Sequence, residues 1–363
     1  MKPYKPESLP LQNLDWQKLI SLMSEANRKL ARYDGILQTI PNPVILLSPL
    51  TTQEAVLSSR IEGTEATLEE VLQFEADPKQ HTGRYADIQE VINYRKATVL
   101  AVDELEKRPI SLNLIKNIHS ILLHSVRGQN KARGEFRKIQ NWIGKPGSPL
   151  EEARFVPPDP LQLLTYLSDF EKYIHYEEKD KLVQLAIVHA QFEILHPFLD
   201  GNGRIGRILI PLFLYEKKIL NTPMFYISAF FETNRELYYD KLKAITDISD
   251  WEGWILFFLE GVVEQSEKNI EKAKAILQLY DTMKEQIVSI THSQYSIKAL
   301  DILFDMPIFS STDFVKSSNI PKASARRILK RLEESGTINI FAKGAGSKPT
   351  LYEFRQLIDI ANN

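Results

Sequence analysis

The stretch His196-Pro197-Phe198-Leu199-Asp200-Gly201-Asn202-Gly203-Arg204-Ile205-Gly206-Arg207 decides how this chain is read. It sets a titratable base, a carboxylate, a glycine-flanked turn and two arginines three apart in one short run. Upstream, Asp180 to Leu195 is nearly all apolar, with Leu182, Leu185, Ala186, Val188, His189, Phe192 and Ile194 wrapping the helix it predicts. A helix apolar on every side belongs in a core, not on a surface. It delivers His196, and Pro197 favours an exit there. A second helix starts within the stretch and continues through Leu209, Ile210, Leu212 and Phe213. Buried helix, tight turn, second helix is the frame on which the rest is hung.

The remaining pattern is mostly helical. Trp16 to Tyr33 carries Leu19, Ile20, Met23, Ala26 and Leu30 on one face, and Pro41-Asn42-Pro43 breaks it. Ser48 and Pro49 read as an N-cap and first-turn pair opening a helix to about Glu62, where Gly63 supplies the stop. Further helices are predicted over 68–75, 86–105, 111–123, 160–175 and 251–290. Phe136 to Pro158 interrupts them: Ile139-Gln140-Asn141-Trp142-Ile143 and Arg154-Phe155-Val156 flank a Gly/Pro/Ser turn, which predicts a hairpin. In the last seventy-odd residues, 297–304, 311–317 and 322–335 read as three short helices. Two β-type runs, 336–340 and 351–354, then flank a Lys343-Gly344-Ala345-Gly346-Ser347-Lys348 tip, and this is winged helix-turn-helix grammar.

At 363 residues two or three domains are expected. An apolar fraction of 43% and a charged fraction of 25% are those of a soluble globular protein. A net charge of only -2 advertises neither nucleic acid nor membrane, so such binding would need a local patch. The absence of cysteine excludes disulfides, thiolate metal sites and cysteine nucleophiles, and fits a reducing compartment. Met1-Lys2-Pro3-Tyr4-Lys5-Pro6 lacks the apolar core of a signal peptide and no run approaches bilayer length, so the expectation is cytoplasmic, without a membrane partner.

Within the opening stretch each residue type suits anionic phosphate. Gly201-Asn202-Gly203 at a loop-to-helix junction lets successive amides turn inward as an anion nest at the positive end of a helix. Arg204 and Arg207 share a helical face and can fork onto phosphate oxygens. Asp200 is placed to hold Mg²⁺, which binds by one or two carboxylates plus substrate phosphates. His196 has the pKa that a general base for a hydroxyl requires. Phe198 anchors the loop in the core. There is no GxxxxGK[ST] loop and no kinase-type glycine loop. The blander alternative, a capping His196 with solvated arginines, would serve for any one residue but not for all in this order. Together they predict transfer of a nucleotide phosphate to a protonatable acceptor.

The other histidines and tryptophans read as structural. His189 is a core histidine with one hydrogen bond, since no second histidine or carboxylate has ligand spacing. His119 and His124 sit at an apolar helix end, Trp142 packs the hairpin, and Trp16, Trp251 and Trp254 are core anchors.

The stretch resembles the full Fic motif, HPFx[D/E]GNGRxxR, with every fixed position filled. Arg137 to Pro158 is similar to the family's flap, and Ala190-Gln191-Phe192-Glu193 and Tyr238-Tyr239 also fit. The resemblance covers roughly residues 10 to 290. It implies a mainly α fold: a Fic-type helical bundle with a β-hairpin flap, here followed by the winged helix. It also implies protein AMPylation, the transfer of AMP from ATP to a Ser, Thr or Tyr hydroxyl. In that scheme His196 deprotonates the acceptor and Asp200 binds Mg²⁺ (or Mn²⁺). The Gly201, Asn202 and Gly203 amides and Arg204 hold phosphates, Arg207 grips the γ-phosphate, and Tyr238 and Tyr239 border the adenine. The flap, about 138–158, docks the target protein as an added strand. Self-AMPylation and a homo-oligomer are left open.

Ser58-Ser59-Arg60-Ile61-Glu62-Gly63 resembles the family's inhibitory motif, [ST]xxxE[GN]. Physically, a carboxylate at a helix C-terminus meets the negative end of the dipole, and a nearby cation, Arg207, would relieve it. Glu62 on Arg207 would deny the γ-phosphate its clamp. The expected organisation is an N-terminal helical region 1–85 with its inhibitory helix at about 49–63, a catalytic domain 86–285, and a winged helix-turn-helix domain 290–363. Lys322, Arg326, Arg327, Lys330 and Arg331 lie on or beside that domain's third helix, and Lys343 and Lys348 flank the tip, so residues 322–348 are a candidate DNA contact. A solvated charged face or a protein-interaction unit would look the same. Three other readings stand beside AMPylation: removal of AMP with Glu62 orienting a water, a DNA-binding regulator whose Fic domain senses nucleotide, and transfer of another nucleotide or phosphate group.

Overall fold

The computed structural model describes residues 2–78, 83–124, 130–144, 149–345 and 348–363. Helix accounts for 66% of it, which makes the class mainly α. The chain divides into two compact units, one of Met1–Asp34, Leu57–Gly63 and Ile92–Glu267, the other of Gly35–Val56, Thr64–Val91 and Lys268–Asn363.

The first unit is organised about the helix Lys181–Leu195. Asp180 caps it by accepting from the Leu182 and Val183 amides, both at 2.9 Å. Every residue from Leu182 to Leu195 except Glu193 is buried. The helix packs against Pro160–Ile174, Arg235–Ile248 and the motif helix Asn202–Glu216. Buried amphipathic groups fasten these layers. Gln184 donates to the Tyr173 and Tyr176 carbonyls, and the Trp254 indole donates to the Ala186 carbonyl at 2.8 Å.

Several expectations are corrected. The first helix runs Trp16–Leu37 and buries Leu19, Ala26, Leu30 and Tyr33, but leaves Ile20 exposed. Ile20 lies about 100° round the helix from Leu19, off the 19-26-30-33 stripe. Trp16 is only half-buried, with the Lys179 ammonium 4.9 Å over its ring. Ser48 does not cap: a short helix, Pro43–Leu46, feeds through Leu47 directly into Ser48–Ile61, so no non-helical cap position exists. Its hydroxyl donates to the Asp305 carbonyl instead. The capping box of this region is Thr67 with Glu70, at the start of Leu68–Ala76.

Among the described residues the predicted hairpin shows one antiparallel bridge, Ile143 with Phe155, and its turn, 145–148, lies outside them. The arms are held by other partners. Tyr4 donates to the Val156 carbonyl, Gln140 Nε2 to that of Pro157, and Arg137 to that of Pro158. Pro157 and Pro158 have no N–H with which to extend a ladder.

In the second unit, helices Ser296–Asp305, Ser311–Ser317 and Lys322–Glu334 precede strands β2 (Asn339–Ala342) and β3 (Leu351–Glu353) in the expected order. A strand not foreseen, β1 (Ile308–Ser310), pairs antiparallel with β3, giving the order β1-β3-β2 with Phe309 and Ile340 both opposite Tyr352. Three residues carry too little alternation to announce a strand. A last helix, Arg355–Asn362, was not foreseen either, and tip residues 346–347 lie outside the described residues. Among the described residues no helix is long and apolar enough to cross a membrane.

Trp254 is fully buried against His189, Tyr238 and Phe258. Trp254→Ala is expected to lower the unfolding free energy by about 3–5 kcal/mol. Urea titration checks this, and a loss below about 1 kcal/mol would show that the cluster does not hold the helices together.

Candidate active site

His196 ends the helix Lys181–Leu195 in a left-handed conformation, φ 45° and ψ 58°. That region is uncommon for a residue with a Cβ and persists only where the surroundings over-determine it. Arg137 supplies the restraint. It is buried, and its guanidinium donates to the carbonyls of His196 (3.0 Å), Pro158 (2.5 Å), Leu195 and Ile139. The imidazole Nδ1 lies 3.3 Å from the Glu193 carbonyl. A carbonyl only accepts, so Nδ1 carries the hydrogen and Nε2 the lone pair. Burial lowers the imidazole pKa to about 4, against the Glu193 hydrogen bond and the Glu62 charge that favour protonation. At neutral pH His196 is therefore an unprotonated base of defined tautomer.

The loop beyond it is braced from below. Phe198 is fully buried and stacks on His119 with ring centroids 3.8 Å apart. The Asn202 amide accepts from the Phe198 N–H and donates to the Phe198 carbonyl, each at 2.9 Å. Its side chain is thus committed to the loop. His119 Nδ1 accepts from the Gly134 amide, so Nε2 donates to the Asp200 carbonyl at 3.2 Å. Burial lowers its pKa to about 4 as well. Gly201, at φ 79°, makes the turn that a side chain would strain. Asp200 keeps its carboxylate accessible, Oδ1 3.3 Å from the buried Arg204 guanidinium.

Arg207 is fully buried on the motif helix. Its Nε donates to Ser58 Oγ, and Nη2 donates to both the Ser58 carbonyl (2.8 Å) and Glu62 Oε1 (2.7 Å). The last turn of Ser48–Ile61 and the residue after it therefore satisfy the cation. Burial by itself would raise the Glu62 pKa. The charge and hydrogen bond of Arg207, with Arg204 and His196 behind them, hold it below the usual carboxylate range. The pair is intact at neutral pH and is lost only as pH falls through that depressed value. A Cβ on Gly203 would collide with Glu62 Oε1, so this glycine is what admits the carboxylate to the helix N-terminus.

These groups line a cavity of about 980 Å³, which includes Glu62, Glu193, His196, Gly203, Arg207, Tyr238 and Tyr239. Asp200, Gly201, Asn202 and Arg204 do not line it. Tyr238 is buried, its hydroxyl donating to His189 Nε2 at 3.0 Å, while His189 Nδ1 donates to the Gly206 carbonyl at 3.1 Å. His189 thus makes two hydrogen bonds, not one, and ties the tyrosine to the motif helix. Tyr239 is half-buried beneath the Arg154 guanidinium, which also pairs with Asp240 at 2.6 Å. Trp142 is 43% exposed and lines the cavity.

Among the described residues no group of three His, Cys, Asp or Glu could hold a metal. Asp200 alone, an accessible hard oxygen donor, fits an ion whose remaining ligands come from nucleotide phosphates and water. In the second unit, Lys322, Arg326, Arg327, Lys330, Lys343 and Lys348 are exposed. Arg331 is half-buried and its Nη1 is engaged. It donates to the Ile290 and Thr291 carbonyls at the end of the helix Trp251–Thr291.

Comparison with known proteins adds three findings. Residues 20–103 match the Fic/DOC family N-terminal model and residues 109–214 the Fic/DOC family model. A probable protein adenylyltransferase of Aquifex aeolicus is 28% identical over 54% of this chain and 55% of its own length, and the protein adenylyltransferase Fic of Drosophila grimshawi is 28% identical over 46% of this chain and 31% of its own. The chain thus spans about half, or less, of these curated relatives. A crystal structure of a Fic family protein from Desulfovibrio desulfuricans G20 superposes over 97% of this chain and 98% of that one, at a TM-score of 0.62 and 20% identity, and shares the fold.

Arg137→Ala would strip several buried carbonyls of their donor at once. An expected loss of roughly 3 kcal/mol in unfolding free energy follows, only partly restored by Arg137→Lys because an ammonium lacks the fork. Equal stability of Arg137→Ala and the native chain in urea would refute this bracing role.

Proposed function

We propose that this chain, which belongs to the Fic/DOC family, is a protein adenylyltransferase held in check by its own Glu62. The observation that carries the reading is that a neutral His196 and the buried Arg207 line one cavity, with Glu62 lying where an anion would be held. The acceptor is a Ser, Thr or Tyr hydroxyl of a target protein. His196 Nε2 takes its proton as the oxygen bonds to the α-phosphorus of ATP. The bond to the β-phosphate oxygen breaks, and pyrophosphate leaves. Amides at the start of the motif helix, with Arg204 and Arg207, hold the phosphates. Asp200 would hold Mg²⁺ or Mn²⁺, which when bound neutralises phosphate charge. The exposed Ile139 and Trp142 offer the flap as a docking edge for the target.

With Glu62 on Arg207 the terminal phosphate has no clamp. Displacing a charge-assisted hydrogen bond takes about 1.5–3 kcal/mol. Glu62→Gly should therefore raise AMP incorporation on the order of 10- to 100-fold, read as label from α-labelled ATP and located by mass spectrometry. Adding His196→Ala should abolish it. Equal labelling of the native and Glu62→Gly proteins would defeat autoinhibition; labelling that survives His196→Ala would defeat the assignment of the base. Loss of AMP from a pre-modified target, with metal and no ATP, would favour the reverse reaction.

A further inference from the structure

We propose that Glu193 is a specificity-determining residue for the nucleotide: a carboxylic acid whose O–H donates to the terminal phosphate once Glu62 has left Arg207. This rests on reading the cavity as the nucleotide site.

Glu193 is the one residue from Leu182 to Leu195 that is not buried, and it lines the cavity. Its Oε1 is nevertheless shielded from solvent and has no hydrogen-bond partner. A buried carboxyl oxygen without a partner costs free energy that an apolar group in the same place would not. The motif helix makes room for it. A Cβ on Gly206 would collide with Glu193 Oε1, just as one on Gly203 would collide with Glu62 Oε1. Two glycines three apart thus admit two carboxylates to one helical face, and Arg207, the residue after the second glycine, is coupled to both.

Only one of the two carboxylates is ionised. Glu62, bonded to Arg207, takes the charge. Burial raises the Glu193 pKa to about 8, Arg207 opposing and Glu62 adding to the rise. Tyr238, from the helix Arg235–Ile248 and raised by burial, is coupled to it, and His189, lowered to about 3, lies with it against Gly206; Tyr239, His196, Glu152, Arg154, Arg235, Glu236 and Lys243 line the same cavity. A phosphate arriving in place of Glu62 brings back negative charge, so the carboxyl stays protonated. Beside a phosphate oxygen a protonated carboxyl donates, whereas a carboxylate repels. The raised group is protonated below about pH 8. ATP affinity should therefore hold at neutral pH and fall as pH rises through that value.

The test measures equilibrium binding of ATP and ADP by titration calorimetry between pH 6.5 and 9.5, on the full chain carrying Glu62→Gly. The expected result is an ATP Kd that weakens about tenfold per pH unit above the Glu193 pKa, with a shallower slope for ADP. Adding Glu193→Gln, which keeps a donor and cannot ionise, should flatten the slope while retaining affinity at pH 7. Adding Glu193→Ala should flatten it and weaken binding at pH 7 several-fold. A flat ATP profile with Glu193 present, a slope that persists in Glu193→Gln, or no ATP binding at any pH would each overturn the proposal. AMP transfer is followed in parallel. Proton-linked binding without transfer would leave the Glu193 assignment standing and remove the adenylyltransferase reading.

Discussion

A buried guanidinium must be given acceptors, and in this chain that guanidinium is Arg207. An unpaired charge in a protein interior costs several kcal/mol, so the cation cannot simply wait for a substrate. The chain answers with Ser58 and Glu62, delivered from well over a hundred positions upstream. The cation's location is set by the motif helix, which is buried from Asn202 to Leu214. The partner's location is set by where the helix Ser48–Ile61 runs out. An anionic ligand would meet an arginine already satisfied, and would have to displace an acceptor of its own chemical type.

The strain at His196 is the second organising feature. A left-handed histidine is held by Arg137 through its carbonyl, by Phe192 through its amide, and by the Glu193 carbonyl through its ring. Below it, Asn202 locks Phe198 and His119 locks Asp200. Catalytic-type groups thus sit at the ends of rigid helices, with their main-chain polar atoms spent on fixing the loop. That arrangement suits a site in which a base and a phosphate clamp must keep a constant separation.

Much of this was legible because the signals were local. An all-apolar Asp180–Leu195 stretch followed by a proline and a glycine turn allows few alternatives to buried helix, loop and helix. The Glu62–Arg207 contact could be anticipated because a carboxylate at a helix C-terminus demands a cation. The failures were of two kinds. Ile20 and Ser48 were misjudged because local propensity was overridden, by the direction of the core and by a preceding helix. Arg137, His119 and Glu193 were not assigned their parts because nothing in their neighbours states what lies across the chain from them.

The sequence by itself determined the chemistry on offer: a base, an anion nest, two arginines and a carboxylate, in an order that short-range geometry forces onto one loop and one helix face. Tertiary structure decided how those groups stand at rest. It made His196 neutral by burial, spent Asn202, His119 and Arg137 on bracing, and put Glu62 on Arg207. It also left Glu193 as a second carboxyl with no charge to share. Burial and long-range pairing set protonation and occupancy, and both depend on neighbours that the order of residues does not name.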